Sequence, residues 1–311
     1  MAETRVPDRL VGAFAVLCGL ALVGGAVVFA VLVVHAPQRV AHWWTCNSGT
    51  EGTPTWSPDG EQIAFAAKGR CDTEIVVVGS DGRGRDILSS AFAQWPAWSP
   101  SGDSILVGSK RGFSLIDTGS GQMRLLRHDD SDAGAAWSPD GTRIAFTHGQ
   151  LPGPGGDYES TLYVMSSRGG KPHRIVGHSC DPGTPAWSPD GKSLAVGCSD
   201  GIYIFRLNGD QTGRRIVKEG FGFNPPKPSW SPSGKTIAFV SDEIGIEIVP
   251  ADGSSSPRTL VTCDSKQWGD SAEWSPDGRW IAYSVSFGKH ADRGIYLVRN
   301  NGRDAHRIAV F

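Results

Sequence analysis

One short string constrains this chain more than any other feature. Trp-Ser-Pro-Asp-Gly, or its variant Trp-Ser-Pro-Ser-Gly, begins at Trp56, Trp98, Trp137, Trp187, Trp230 and Trp274. Each copy is followed by two variable residues and then an apolar run: Ile63-Ala-Phe, Ile105-Leu-Val, Ile144-Ala-Phe, Leu194-Ala-Val, Ile237-Ala-Phe and Ile281-Ala-Tyr. The Trp-to-Trp intervals are 42, 39, 50, 43 and 44 residues. A repeat of about 40–45 residues with Gly-containing turns is the length of one four-stranded propeller blade.

The chemistry of the unit is readable. Trp ends an inner strand, Pro presets φ in the turn, and Gly accepts the left-handed conformation that closes it. The Ile-Ala-Phe run is the second strand. A third apolar run follows, as in Ile75–Val78 and Ile295–Val298, and then another turn such as Asp81-Gly82 or Asn301-Gly302. A fourth strand carries an arginine near its start in each unit: Arg85, Arg124, Arg174, Arg215, Arg258 and Arg307. An arginine there suits protection of an exposed sheet edge. The sequence therefore predicts an all-β fold, a six-bladed β-propeller of four-stranded antiparallel blades over residues 50–311. The register runs from the inner strand of blade one to the outer strand of blade six. Closure is then expected from packing between blades, helped by residues 40–46.

The repeated Trp-Ser-Pro-Asp-Gly-x-x-Ile-Ala-Phe resembles the WD-like repeat of TolB-type propellers, and is similar to the propeller that caps prolyl oligopeptidases. The resemblance covers almost everything after residue 50. It implies a fold and leaves function open, because the motif is turn and core chemistry and not a site. TolB-type proteins carry a separate α/β domain before the propeller, for which residues 36–51 are too short.

Residues 10–34 hold 25 consecutive residues without a charge. About 20 suffice to cross a bilayer as a helix, so the run reads as one transmembrane signal-anchor helix. Arg5 and Arg9 precede it and only Arg39 follows closely, which favours the N-terminus inside. The expected organisation is a short cytoplasmic N-terminus (1–9), a transmembrane helix (10–34), a linker (35–49) and an extracytoplasmic propeller on a single-pass membrane protein.

Six cysteines bear on the compartment. Cys18 lies in the apolar run. Cys46 and Cys71 fall in loops that open on one face of blade one, and Cys180 and Cys198 in the corresponding loops of blade four. In-blade disulfides are compatible with that placement, as are other pairings, and Cys263 is left over. Paired cysteines suit an oxidising exterior.

The same face is where a ligand is expected. Its loops hold the acidic residues Asp129, Asp130, Asp132, Asp181 and Asp270, with His128 and His178 in equivalent loops and Trp95 and Trp268 among them. Such a rim suits a protein or peptide partner, a cell-envelope polysaccharide or a Ca²⁺ ion. The two histidines lack further metal ligands at fixed spacing. Gly177-His-Ser-Cys-Asp lacks the last glycine of a nucleophile elbow. A net charge of −2 gives no footprint for nucleic acid. The reading is a non-catalytic binding scaffold with no resident cofactor, the alternative being a carbohydrate-active lyase or hydrolase working at the channel mouth.

Overall fold

Continuous apolar runs such as Gln62–Lys68, whose five central residues are buried, have β-branched and aromatic side chains that fill a pleated, two-sided core. In a computed structural model of the chain they form six four-stranded sheets. The structure describes residues 17–23, 26–32, 52–68, 73–89, 93–109, 111–129, 131–150, 159–175, 182–208, 212–218, 221, 225–241, 245–262, 271–285 and 293–310. The chain divides into two units, Met1–Asn47 and Ser48–Phe311.

The second unit is the expected propeller. Every sheet takes four consecutive strands in sequence order, all antiparallel. Blade one is Gly52–Trp56, Gln62–Lys68, Thr73–Gly79 and Asp86–Ser89. The repeat Trp is the last residue of every inner strand. Six apolar clusters lie one at each seam between neighbouring blades, including one built from Phe65 and Val76 of blade one with Ala282 and Leu297 of blade six.

The motif earns its recurrence at those seams. The indole N–H of Trp137 donates to Ala97 O at 3.2 Å, Trp187 to Ala136 O at 3.1 Å and Trp230 to Ala186 O at 3.2 Å. Each Trp thus reaches the residue before the Trp of the preceding blade. In the turn, Ser57 Oγ donates to Asp59 Oδ1 at 2.6 Å and Gly60 N to Ser57 O at 2.9 Å. Gly60, at φ 74°, takes the left-handed conformation that closes the turn. Asp59, Asp140 and Asp190 are held below their ordinary pKa, Asp140 at about 2, first by the turn serine hydroxyl and then by a backbone N–H.

Ring closure uses the same links. Trp56 Nε1 donates to Glu273 O at 3.1 Å, and Glu273 Oε1 accepts from Trp56 N at 3.2 Å and Thr55 Oγ1 at 3.1 Å. Arg85 Nη1 reaches Val310 O at 2.8 Å. Outer-strand arginines stitch blades as well as guarding edges: Arg214 donates to Asp252 O and Ala251 O of blade five at 2.5 and 2.7 Å. Residues 40–46, expected to aid closure, lie outside the described residues.

The first unit departs from expectation. Leu17–Val23 and Ala26–Leu32 pair as antiparallel strands where one helix over 10–34 was expected. Valines at 23, 27, 28 and 31 favour extended backbone, and the sequence between the strands is Gly24-Gly25, suited to a tight connection. Among the described residues no helix is long and apolar enough to cross a membrane.

Candidate functional site

The crossover from blade two to blade three builds a charged cluster. Arg127 lies near the end of the outer strand Met123–His128. Asp132 opens the inner strand Asp132–Trp137, and register places it opposite His148 on Arg143–Gln150. Asp132 accepts from Arg127 Nε at 2.5 Å and pairs with His148 Nδ1 at 2.8 Å. Arg127 Nη2 also donates to Asp129 at 2.9 Å. The Asp132 side chain is fully buried. Burial pushes its carboxyl above the ordinary pKa, against the hydrogen bonds from His148 and Arg127, which pull it down.

Asp129, Asp132 and His148 each offer a ligand atom, all within 4.8 Å of one another. Two carboxylates and an imidazole suit a transition metal better than Ca²⁺, which takes 6–8 oxygens. The guanidinium of Arg127 bonds to both carboxylates, however, and supplies the positive charge itself. A divalent ion would have to displace it. As built, the cluster clamps the crossover: Ser131 N donates to Asp129 Oδ1 at 3.2 Å and Gly149 N to Ser131 O at 2.9 Å.

This corrects the expectation of an exposed acidic rim at this loop. Asp132 is a core carboxylate and Asp129 is only a quarter exposed. His128 is exposed and takes no part in the cluster. Its place is taken by His148, which the sequence reading missed. The signal was the sixth residue of the second strand, which is Ala67, Ser109, Cys198, Ser241 and Val285 in the other blades. Asp130, His178, Asp181, Trp268 and Asp270 lie outside the described residues. Phe221, which follows the outer strand of blade four, is buried edge-on against Phe239. Cys198 is buried and disulfide-bonded; Cys46, Cys71 and Cys180 lie outside the described residues.

A second constellation lies where the inner strands meet the channel. Three residues before each repeat Trp stand Thr53, Trp95, Gly134, Thr184, Lys227 and Ser271. In blades one to three this position is left-handed, at φ 51° for Thr53, 50° for Trp95 and 49° for Gly134, and each coincides with a register shift in the inner strand. A β-branched residue in that region is strained. Gly108 makes room for the Trp95 ring, which stands 2.9 Å from where a Cβ would be. The hydroxyls of Thr53 and Ser271 are buried without a hydrogen-bond partner among the described residues. Beside them, Lys227 Nζ lies 3.4 Å from Glu273 Oε2. Of this ring only Trp95 was singled out from sequence; aligning the repeats on Trp would have exposed the rest.

A family model described as the TolB β-propeller domain matches residues 115–311, more than half of the chain. The chain belongs to the TolB β-propeller family. The solved structures similar to this TolB-family propeller include a protein designated TolB from Agrobacterium tumefaciens, at 22% identity and TM-score 0.64, covering 76% of this chain and 87% of that one. TolB from Acinetobacter baumannii follows at 21% and 0.62, over 83% of this chain and 63% of that one. An oligogalacturonate lyase in complex with manganese is similar at 14% and 0.57, over 82% and 76%. These likenesses bear on the fold alone.

Proposed function

We propose that this TolB-family propeller is a non-catalytic binding scaffold that takes an extended segment of a partner protein at its channel mouth. The observation that carries the reading is the ring three residues before each Trp. Strained backbone at Thr53 and Trp95 sets an aromatic in this ring, with the unpartnered hydroxyls of Thr53 and Ser271 buried behind it. Backbone strain collects where a surface is shaped for a ligand. An aromatic face beside a Lys–Glu pair suits main-chain amides and mixed side chains of a peptide. Family membership supports the same reading. In this proposal residues 10–34 tether the propeller to a membrane, with the propeller on the extracytoplasmic side.

The alternative is a carbohydrate-active enzyme. It rests on the Asp132–His148 pair, in which a carboxylate holding Nδ1 leaves Nε2 as a base, and on the likeness to an oligogalacturonate lyase. The same experiment separates them. A photoreactive benzoylphenylalanine replacing Trp95 should cross-link to a polypeptide in intact cells, whereas the same group at exposed Met123 should not. No adduct at position 95, together with release of unsaturated product from oligogalacturonate in the presence of Mn²⁺, would reverse the assignment.

A further inference from the structure

The six seams share one construction, so a difference between two of them is informative. At the seam of blades three and four, Arg143 lays its guanidinium over the ring of Trp187, 4.6 Å from the centroid. Its Nη2 donates to Gly191 O at 3.1 Å. Leu207 packs against the same cluster.

At the seam of blades six and one, the corresponding residues are Trp280, Trp56, Gly60 and Ser80. Arg143 and Trp280 both directly precede the first core residue of the second strand. Gly191 and Gly60 are the turn glycines. Leu207 and Ser80 make the same backbone bond, Leu207 N to Lys192 O at 2.9 Å and Ser80 N to Glu61 O at 2.8 Å. With serine at 80 and tryptophan at 280, this seam holds a cavity of about 280 Å³ bounded by Trp56, Gly60, Ser80 and Trp280. That is below the ~300–1,000 Å³ of drug-sized sites and of the scale of one long side chain.

The cavity is acidic at its edge. Asp59 and Asp277 both line it. Each spends Oδ1 on its own turn, accepting from Ser57 and Glu61 N, and from Ser275 and Arg279 N. Both carboxyls are held below their ordinary pKa and are ionised at neutral pH. His306 also lines the cavity, its ring edge-on to Trp280 at 5.5 Å, and the nearby arginines are committed elsewhere or exposed. Arg299 lies over Trp280 at 4.6 Å and bonds to Asp304, and Arg279 stands 3.7 Å from Asp277 with three quarters of its side chain in solvent.

We propose that this pocket receives the side chain of an arginine carried by a partner polypeptide. The guanidinium takes the part that Arg143 plays at the other seam, and the methylenes take the part of Leu207. A planar fork that stacks on an indole and pairs with two carboxylates is a property of arginine and not of lysine. The pocket sits at the turn end of the seam and is independent of the channel-mouth reading.

The test uses the full chain and N-acetyl-arginine amide, with the citrulline and lysine analogues as controls, followed by NMR at the indole N–H groups. The arginine probe should shift Trp56 and Trp280, the citrulline probe neither, and the lysine probe should bind about tenfold more weakly. Ser80→Leu and Trp280→Arg rebuild the filled seam in two different ways, and each should cost at least about tenfold in affinity. If one variant fails to fold, the other decides. Equal binding of citrulline, undiminished binding in the folded variants, or shifts confined to Trp95 would each overturn the proposal.

Discussion

Asp132→Ala tests whether the blade two–three crossover is held by a buried clamp or is an ordinary polar loop. The substitution removes the acceptor for Arg127 Nε and for His148 Nδ1. A hydrogen bond to a charged group contributes about 1.5–3 kcal/mol net, so two suggest about 3–6. Two facts lower that. Arg127 and His148 keep about a fifth of their side chains in solvent, 23% and 20%, and can rehydrate, while Arg127 retains Asp129. The raised pKa of Asp132 says that burial outweighs its partners for the ionised form, so removing the charge also relieves a cost. The expected loss is therefore about 2–3 kcal/mol. For a domain of this size that lowers Tm by roughly 5–10 °C, measurable by calorimetry with near-ultraviolet circular dichroism as a second probe. Asp129→Ala, at a partly exposed pair, should cost no more than about 1 kcal/mol. A loss for Asp132→Ala within about 0.5 kcal/mol, the range of surface changes, would refute the clamp.

Three further outcomes are expected. The depressed pKa values of Asp59, Asp140 and Asp190 mean that their contribution is present above the unfolded value near 4 and is lost as pH falls through their lowered values, about 2 for Asp140; acid titration of stability should show this, and Ser138→Ala should weaken it, a flat profile counting against the turn argument. Glu273→Ala removes the acceptor for Thr55 Oγ1 and Trp56 N at ring closure and should speed amide exchange at Trp56 at a cost of about 1–3 kcal/mol, unchanged exchange showing that packing alone closes the ring. Non-reducing peptide mapping should join Cys198 to Cys180 and Cys46 to Cys71, and reducing the first link should cost roughly 3 kcal/mol; Cys198 joined to any other cysteine would refute that connectivity.

What the sequence reveals and what it hides divide along a physical line. Trp, Pro and Gly recur at fixed places in every repeat, Pro and Gly for the turn angles and Trp for the seam, so six copies announce both the blade and its count. Asp132 and His148 answer to a non-local demand. They meet because strand pairing sets them opposite each other, while Arg127 arrives from the preceding blade. In the string they look like a rim aspartate and a stray histidine. The channel-mouth ring is intermediate: its residues share one position in the repeat, yet their chemistry changes around the ring, from Gly134 to Trp95 to Lys227. A repeat protein keeps constant what builds the blade and varies what faces a ligand. The informative positions are therefore those where the repeat breaks its own rule. The seam of blades three and four is filled by Arg143 and Leu207, whereas at the seam of blades six and one Trp56, Ser80 and Trp280 bound a cavity edged by Asp59 and Asp277.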